Sequence, residues 1–161
     1  MADQKPVIVG ELNPYGGSDK FALYPSPDGC SGHRLCCLIL GMSRRSYLES
    51  FERANLCSGK WSVPAARKRA QELVDNHQRL ILCGSKVSAA FGVPFLPFVR
   101  RSTWLVLPHP SGRNLLWNEP RIFEKARAAV MSLAPELVGV IGSADRAKNQ
   151  SLPASGDEGH K

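Results

Sequence analysis

Three short apolar runs constrain this chain more than anything else in it: Pro6-Val7-Ile8-Val9, Leu80-Ile81-Leu82-Cys83 and Thr103-Trp104-Leu105-Val106-Leu107. Each is short, apolar at successive positions and cut off by glycine or proline, the pattern of a strand buried on both faces. Between them lie segments with helical spacing. Ser43 can cap a helix running to Phe51, Ser62 can cap another with Pro64 in its first turn, and Ser85 to Phe91 forms a third. From Glu119-Pro120 onward, Ile122, Phe123, Ala126, Val130 and Leu133 recur as one buried helical face. His33 to Leu40 also reads as helical, and Ala54 to Cys57 as a second short strand. This alternation predicts an α/β protein, a three-layer α/β/α fold around a short parallel sheet of about four strands.

At 161 residues, 43% hydrophobic and 22% charged, the chain has the composition of one globular domain and not of a disordered chain or a coiled coil. The domain is expected over residues 1–141, with the small, polar and aperiodic residues 142–161 as a disordered tail. No apolar run approaches the ~18 residues of a membrane span, and Met1 to Lys5 lacks a basic region feeding a hydrophobic one. A soluble, cytoplasmic monomer is expected. Cys30, Cys36, Cys37, Cys57 and Cys83 are odd in number, which argues against a disulfide framework. Cys30, His33 and Cys36 have metal-like spacing, but no second Cys-x-x-Cys pair completes a tetrahedral set, so neither metal nor cofactor is expected.

The formal charge is +7, and its distribution is uneven. Between Arg44 and Arg101 stand eleven Lys or Arg against four acids, while the rest of the chain has ten of each sign. A local excess of that kind can hold a polyanion by counterion release, so nucleic acid is a candidate partner.

In open parallel sheets ligands bind past the carboxyl ends of the strands. That rule gathers three polar residues into one crevice: Asn13 after the first strand, Asn55 in or just after the second, and His109 after the last. The stretch from Glu11 to Gly32 is a loop of about twenty residues, a length that in a compact domain usually serves function.

Two segments on that edge carry the chemistry. They are Gly10-Glu11-Leu12-Asn13-Pro14-Tyr15-Gly16-Gly17 and Pro108-His109-Pro110-Ser111-Gly112-Arg113-Asn114. Each taken alone is compatible with a turn. Together, in this order, they resemble the motifs of the uracil-DNA glycosylase superfamily, whose members carry Gly-x-(Asp or Asn)-Pro after the first strand and His-Pro-Ser after the last. The second segment is most similar to the single-strand-selective monofunctional branch, with its His-Pro-Ser-x-Arg-Asn; Tyr15 instead resembles the classical uracil-specific branch. The likeness spans roughly Val7 to Leu133. Two departures stand out: Glu11-Leu12 adds a residue to the first motif, and Gly16 stands where the classical branch has histidine.

The resemblance implies a metal-free enzyme that excises uracil, or a related deaminated or oxidised base, from DNA. Cleaving the glycosidic bond puts negative charge on the base and positive charge on the sugar. His109 is expected to donate to the departing base, and Asn13 to hold the attacking water without acting as a base, because a carboxamide accepts no proton at neutral pH. Glu11 is the alternative base. Asn55 is expected to read uracil, Tyr24 or Phe21 to stack on it, and Tyr15 to wall off its C5 position. Arg113 would occupy the vacated space in the DNA, with Ser111 and Lys60 on phosphates. No lysine in either motif can form a Schiff base, so a lyase step is not expected. The competing expectations are a transferase that modifies a DNA base on the same fold and a non-catalytic nucleic-acid-binding member.

Overall fold

The apolar runs become the centre of a five-stranded sheet in the computed structural model, which describes residues 4–13 and 18–151. The strands are β1 (Val7–Asn13), β2 (Glu52–Ser58), β3 (Leu80–Cys83), β4 (Arg100–Arg101) and β5 (Trp104–Leu107), in spatial order β2-β1-β3-β5-β4. β2, β1, β3 and β5 pair in parallel, and β4 pairs antiparallel with β5. Six helices accompany them: α1 (Ser31–His33), α2 (Arg44–Ser50), α3 (Val63–Asn76), α4 (Ser85–Ala90), α5 (Pro120–Leu133) and α6 (Ser143–Ser151).

Side-chain alternation explains why the strands are apolar at every position. Val7, Val9, Leu80, Leu82 and Val106 point to one face and pack with Ala66, Ala70 and Leu73 of α3 and Val87 of α4. Ile8, Ile81, Cys83, Leu105 and Leu107 point to the other and pack with Tyr47 of α2 and Ala126, Val130 and Leu133 of α5. Two cores flank one sheet, as a three-layer α/β/α arrangement requires. Among the described residues, no helix is long and apolar enough to cross a membrane.

The caps act as expected. Ser43 Oγ accepts the Ser46 N–H, and Ser62 Oγ accepts the Ala65 N–H ahead of Pro64. Five points differ from the sequence expectation. The first strand runs on through Glu11 and Leu12, expected to open the loop, and Asn13 is its last residue, because Leu12 and Asn13 still pair with β2. The strand expected over Ala54 to Cys57 is longer, because its flanks also pair with β1 from Val7↔Glu52 to Asn13↔Ser58. The sheet has a fifth, antiparallel strand, β4, a two-residue edge joined to β5 through Ser102 at φ 52°. A non-glycine residue in that conformation gives none of the glycine or asparagine signal that marks a tight hairpin. The helix over His33 to Leu40 widens after α1 into a π-helical stretch, Arg34–Ile39, where the Leu40 N–H reaches back to Leu35 O at 2.9 Å. The disordered tail expected from residue 142 is instead helical over Ser143–Ser151. Arg127 of α5 anchors it, pairing with Asp145 at 2.7 Å while its Nε donates to Ile39 O at 2.7 Å. Residues 152–161 lie outside the described residues.

Candidate functional site

A cleft of about 1100 Å³ opens past the carboxyl ends of the parallel strands. Glu11, Asn13, Asn55, His109, Ser111 and Arg113 line it, with Phe21 and Tyr24 on its loop side. Eight candidates named from sequence thus converge on one space, although Asn13 and His109 lie almost a hundred residues apart in the chain. Lys60 is not among them: it stands on the exposed turn after β2, outside the cleft lining. Tyr15 and Gly16 lie outside the described residues.

Asn13 ends β1 and is buried, with 8% of its surface exposed. Asn55 faces Gly10 across the β1–β2 register. A Cβ on Gly10 would stand 2.5 Å from Asn55 Oδ1, so only glycine lets the amide lie over β1 toward the cleft. This is the reason for the glycine that opens the first motif.

The His109 loop is held from below by its own backbone. Asn114 Nδ2 and Trp117 Nε1 both donate to His109 O, at 3.2 and 2.8 Å, and the Trp117 ring is buried against Phe98. Arg34 Nε donates to Pro110 O at 3.2 Å from the π-helical stretch. The imidazole Nδ1 accepts the Ser111 N–H at 3.1 Å, so the neutral ring carries its proton on Nε2. Ser111 Oγ in turn accepts the Arg113 N–H at 3.2 Å, which gives that hydroxyl a part in shaping the turn. Burial lowers the His109 pKa below its ordinary 6.5, and the opposing pull of the Glu11 carboxylate does not restore it. The ring is therefore neutral at neutral pH, with an N–H to donate.

Gly84, at φ 101°, closes the floor between β3 and α4. The position of a Cβ there lies 3.3 Å from His109 Cβ and 3.4 Å from Glu11 Oε1, so the carboxylate and the imidazole press on the same backbone. Cys83, next to it, is inert: burial first and the Glu11 charge second push its thiol up to about 12.

The opposite wall is the loop from Ser18 to Cys30, and much of the basic excess is spent on it. Arg53 Nη1 donates to both Lys20 O and Ala22 O at 2.9 Å, Tyr47 Oη to Leu23 O at 2.8 Å, and Arg44 Nε to Pro25 O at 2.9 Å. Arg69 pairs with Asp19 at 2.6 Å, and Arg44 also pairs with Asp28. Thus fastened, the loop presents Phe21 and Tyr24 edge to face, 6.1 Å between centroids, with 54% and 38% of their surfaces exposed. Part of the local basic excess is therefore engaged within the protein: Arg44, Arg53 and Arg69 grip loop carbonyls and carboxylates. Arg79 joins Glu136 and Gln4 O by the start of β3, the end of that strand opposite the cleft.

Sequence reasoning missed Cys30, Arg34, Gly84 and Trp117. Cys30 Sγ caps α1 by accepting the His33 N–H at 3.4 Å and donates to Tyr24 O at 3.4 Å. Cys30 drew notice only for its metal-like spacing with His33 and Cys36 and not as a cap, Gly84 and Trp117 had no motif, and for Arg34 the one available hint was an arginine inside an otherwise apolar helical run. Among the described residues, no three His, Cys, Asp or Glu side chains converge as a metal site. Comparison with family models, curated proteins and solved structures finds no match to this chain.

Proposed function

We propose that this chain is a monofunctional DNA glycosylase that flips uracil, or a closely related damaged base, into the cleft and hydrolyses its glycosidic bond. The observation that carries this reading is the junction, in one cleft, of a neutral Nε2–H donor on His109, a buried amide on Asn13, a second amide on Asn55 and the exposed rings of Phe21 and Tyr24.

The chemistry follows from those groups. The flipped base lies against Tyr24 or Phe21, whose exposed rings supply the stacking lost with its neighbours. Asn55 donates through Nδ2 to uracil O4 and accepts the N3–H through Oδ1. Cytosine presents the reverse polarity, and the mispaired amide costs on the order of 1–3 kcal/mol. As the bond to the sugar lengthens, the electron pair moves onto the base, and His109 Nε2–H stabilises the charge growing at O2 without giving up its proton. Asn13 orients water against the electron-poor anomeric carbon. Glu11, whose carboxylate acts on the His109 ring from the same cleft, offsets the positive charge growing on the sugar, and the water proton passes to solvent as the bond to the anomeric carbon forms. Arg113, exposed on the rim, fills the gap left in the DNA.

A panel of oligonucleotides carrying single uracil, hypoxanthine, xanthine or hydroxymethyluracil lesions, treated with alkali after incubation, tests this. Strand breaks at one lesion, lost by 10²-fold or more in Asn13→Ala and His109→Ala while binding persists, are expected. Full activity in both variants would overturn the site; no break at any lesion would overturn the reaction.

A further inference from the structure

Beyond the cleft, cations without an acidic partner gather around one aromatic ring. Trp61 lies on the connection into α3, Lys86 in the first turn of α4, and Lys86 Nζ stands 5.6 Å from the centroid of the Trp61 ring. With Val63 and Arg67 of α3 and Ala90 of α4 they line a second cavity, of about 160 Å³. Lys86, Arg67 and Val63 are exposed and Trp61 is half-buried against the core beside Ala90. Among the described residues, Lys60, Arg67 and Lys86 form no ion pair, whereas nearby Arg69 is matched by Asp19 and Glu72.

The notch shares the sheet edge with the cleft. The chain leaving β2 toward Trp61 is tied to β1 at Asn13, whose carbonyl accepts the Gly59 N–H at 3.2 Å. α4 starts from Gly84, which abuts His109. Both walls of the notch therefore spring from the strand ends that carry the cleft residues, on the face covered by α3 and α4.

We propose that this notch is a nucleotide subsite for the strand that enters the cleft: a neighbouring base lies on Trp61, and its flanking phosphates are held by Lys86, Arg67 and Lys60. A flat π-surface next to repeated negative charge is what this pairing of indole and free cations complements. An acidic polypeptide would match the cations and leave the ring unused. Lys86 already spans the two functions, resting over the ring in the free protein and able to swing to a phosphate when a base takes its place. The inference rests on the reading of the cleft as a site for a DNA base.

Binding of a short thymidine oligonucleotide, compared with an abasic phosphodiester oligomer of equal length, tests it. The wild-type chain is expected to prefer the thymidine strand about tenfold, with quenched tryptophan fluorescence. Trp61→Leu should abolish that preference and the quenching, and Trp61→Phe should restore part of the preference, which a folding defect would not do. Lys86→Glu and Arg67→Glu should weaken both oligomers and flatten the salt dependence. On a uracil-containing strand, Trp61→Leu should raise KM and leave kcat unchanged. An undiminished thymidine preference in Trp61→Leu, or polyglutamate competing as well as the thymidine strand at equal charge, would overturn the subsite. If release depends on His109 but Trp61→Leu changes nothing, the subsite fails and the glycosylase reading stands. If no lesion is released yet the Trp61-dependent preference remains, the reverse holds.

Discussion

At His109, one backbone hydrogen bond decides the chemistry open to the side chain. Because Nδ1 is occupied by the Ser111 N–H, the ring stays in the tautomer that presents Nε2–H, and protonating it would set two donors against each other. Burial adds to this by lowering the pKa below 6.5. The sign then runs one way: between the lowered value and 6.5 the unfolded chain binds more protons, so the His109 contribution to stability is present above 6.5 and lost as pH falls toward the folded value. Uracil release should likewise hold at full rate as pH drops through 6.5 and fall only below it, as a pH profile of kcat/KM would show. Glu11 opposes the shift, so Glu11→Gln should move that acid limb to lower pH while keeping neutral activity within a few-fold. A loss of 10²-fold or more at every pH would instead make Glu11 the base that takes the water proton.

At the scale of elements, the wall of the cleft is an irregular segment held by side chains, since its carbonyls have no ladder to join. The three short turns and exposed rings between Ser18 and Cys30 stay in place because Arg53, Tyr47 and Arg44 reach them from β2 and α2. Arg53→Met keeps much of the side-chain volume and removes two charge-assisted bonds to carbonyls. It should cost roughly 1.5–3 kcal/mol in a urea titration and speed tryptic cleavage at Lys20, with loss of base binding ahead of global unfolding. Cleavage at the wild-type rate would mean that the loop holds itself. This fastening was not legible in sequence. Arginine propensities are the same whether the guanidinium meets a carbonyl, a carboxylate or a phosphate, and only the fold says which is within reach.

Over the whole molecule, part of the charge binds the protein to itself through Arg44, Arg53, Arg69 and Arg79, while Arg67 and Lys86, which form no ion pair among the described residues, flank Trp61. The carboxyl-terminal segment joins the body in the same manner, through Arg127, Asp145 and the carbonyls of Leu38 and Ile39. Asp145→Ala should therefore lower Tm by about 2–4 °C, the shift for a loss of about 1 kcal/mol in a chain this size, with no effect on release of a damaged base. An unchanged Tm would mean that this ion pair contributes nothing to the fold. That segment was misread because Ser143–Ser151 has no apolar periodicity, and its anchor is an ion pair formed across the fold.

What the sequence determined by itself is the part of the protein written in local pattern. Short runs of valine and isoleucine cut off by glycine or proline read as strands covered on both faces, serine and proline mark where the helices start, and the binding rule for parallel sheets puts Asn13, Asn55 and His109 on one edge. The tertiary structure decided what depends on partners distant in the chain: which nitrogen of His109 carries the proton, why Gly10 admits no side chain beside Asn55, and that Lys86 stands over Trp61 while Lys60 stays out of the cleft. Local propensity is set by a residue and its neighbours, whereas protonation, close approach and charge pairing are set by groups that only folding brings within a few ångströms.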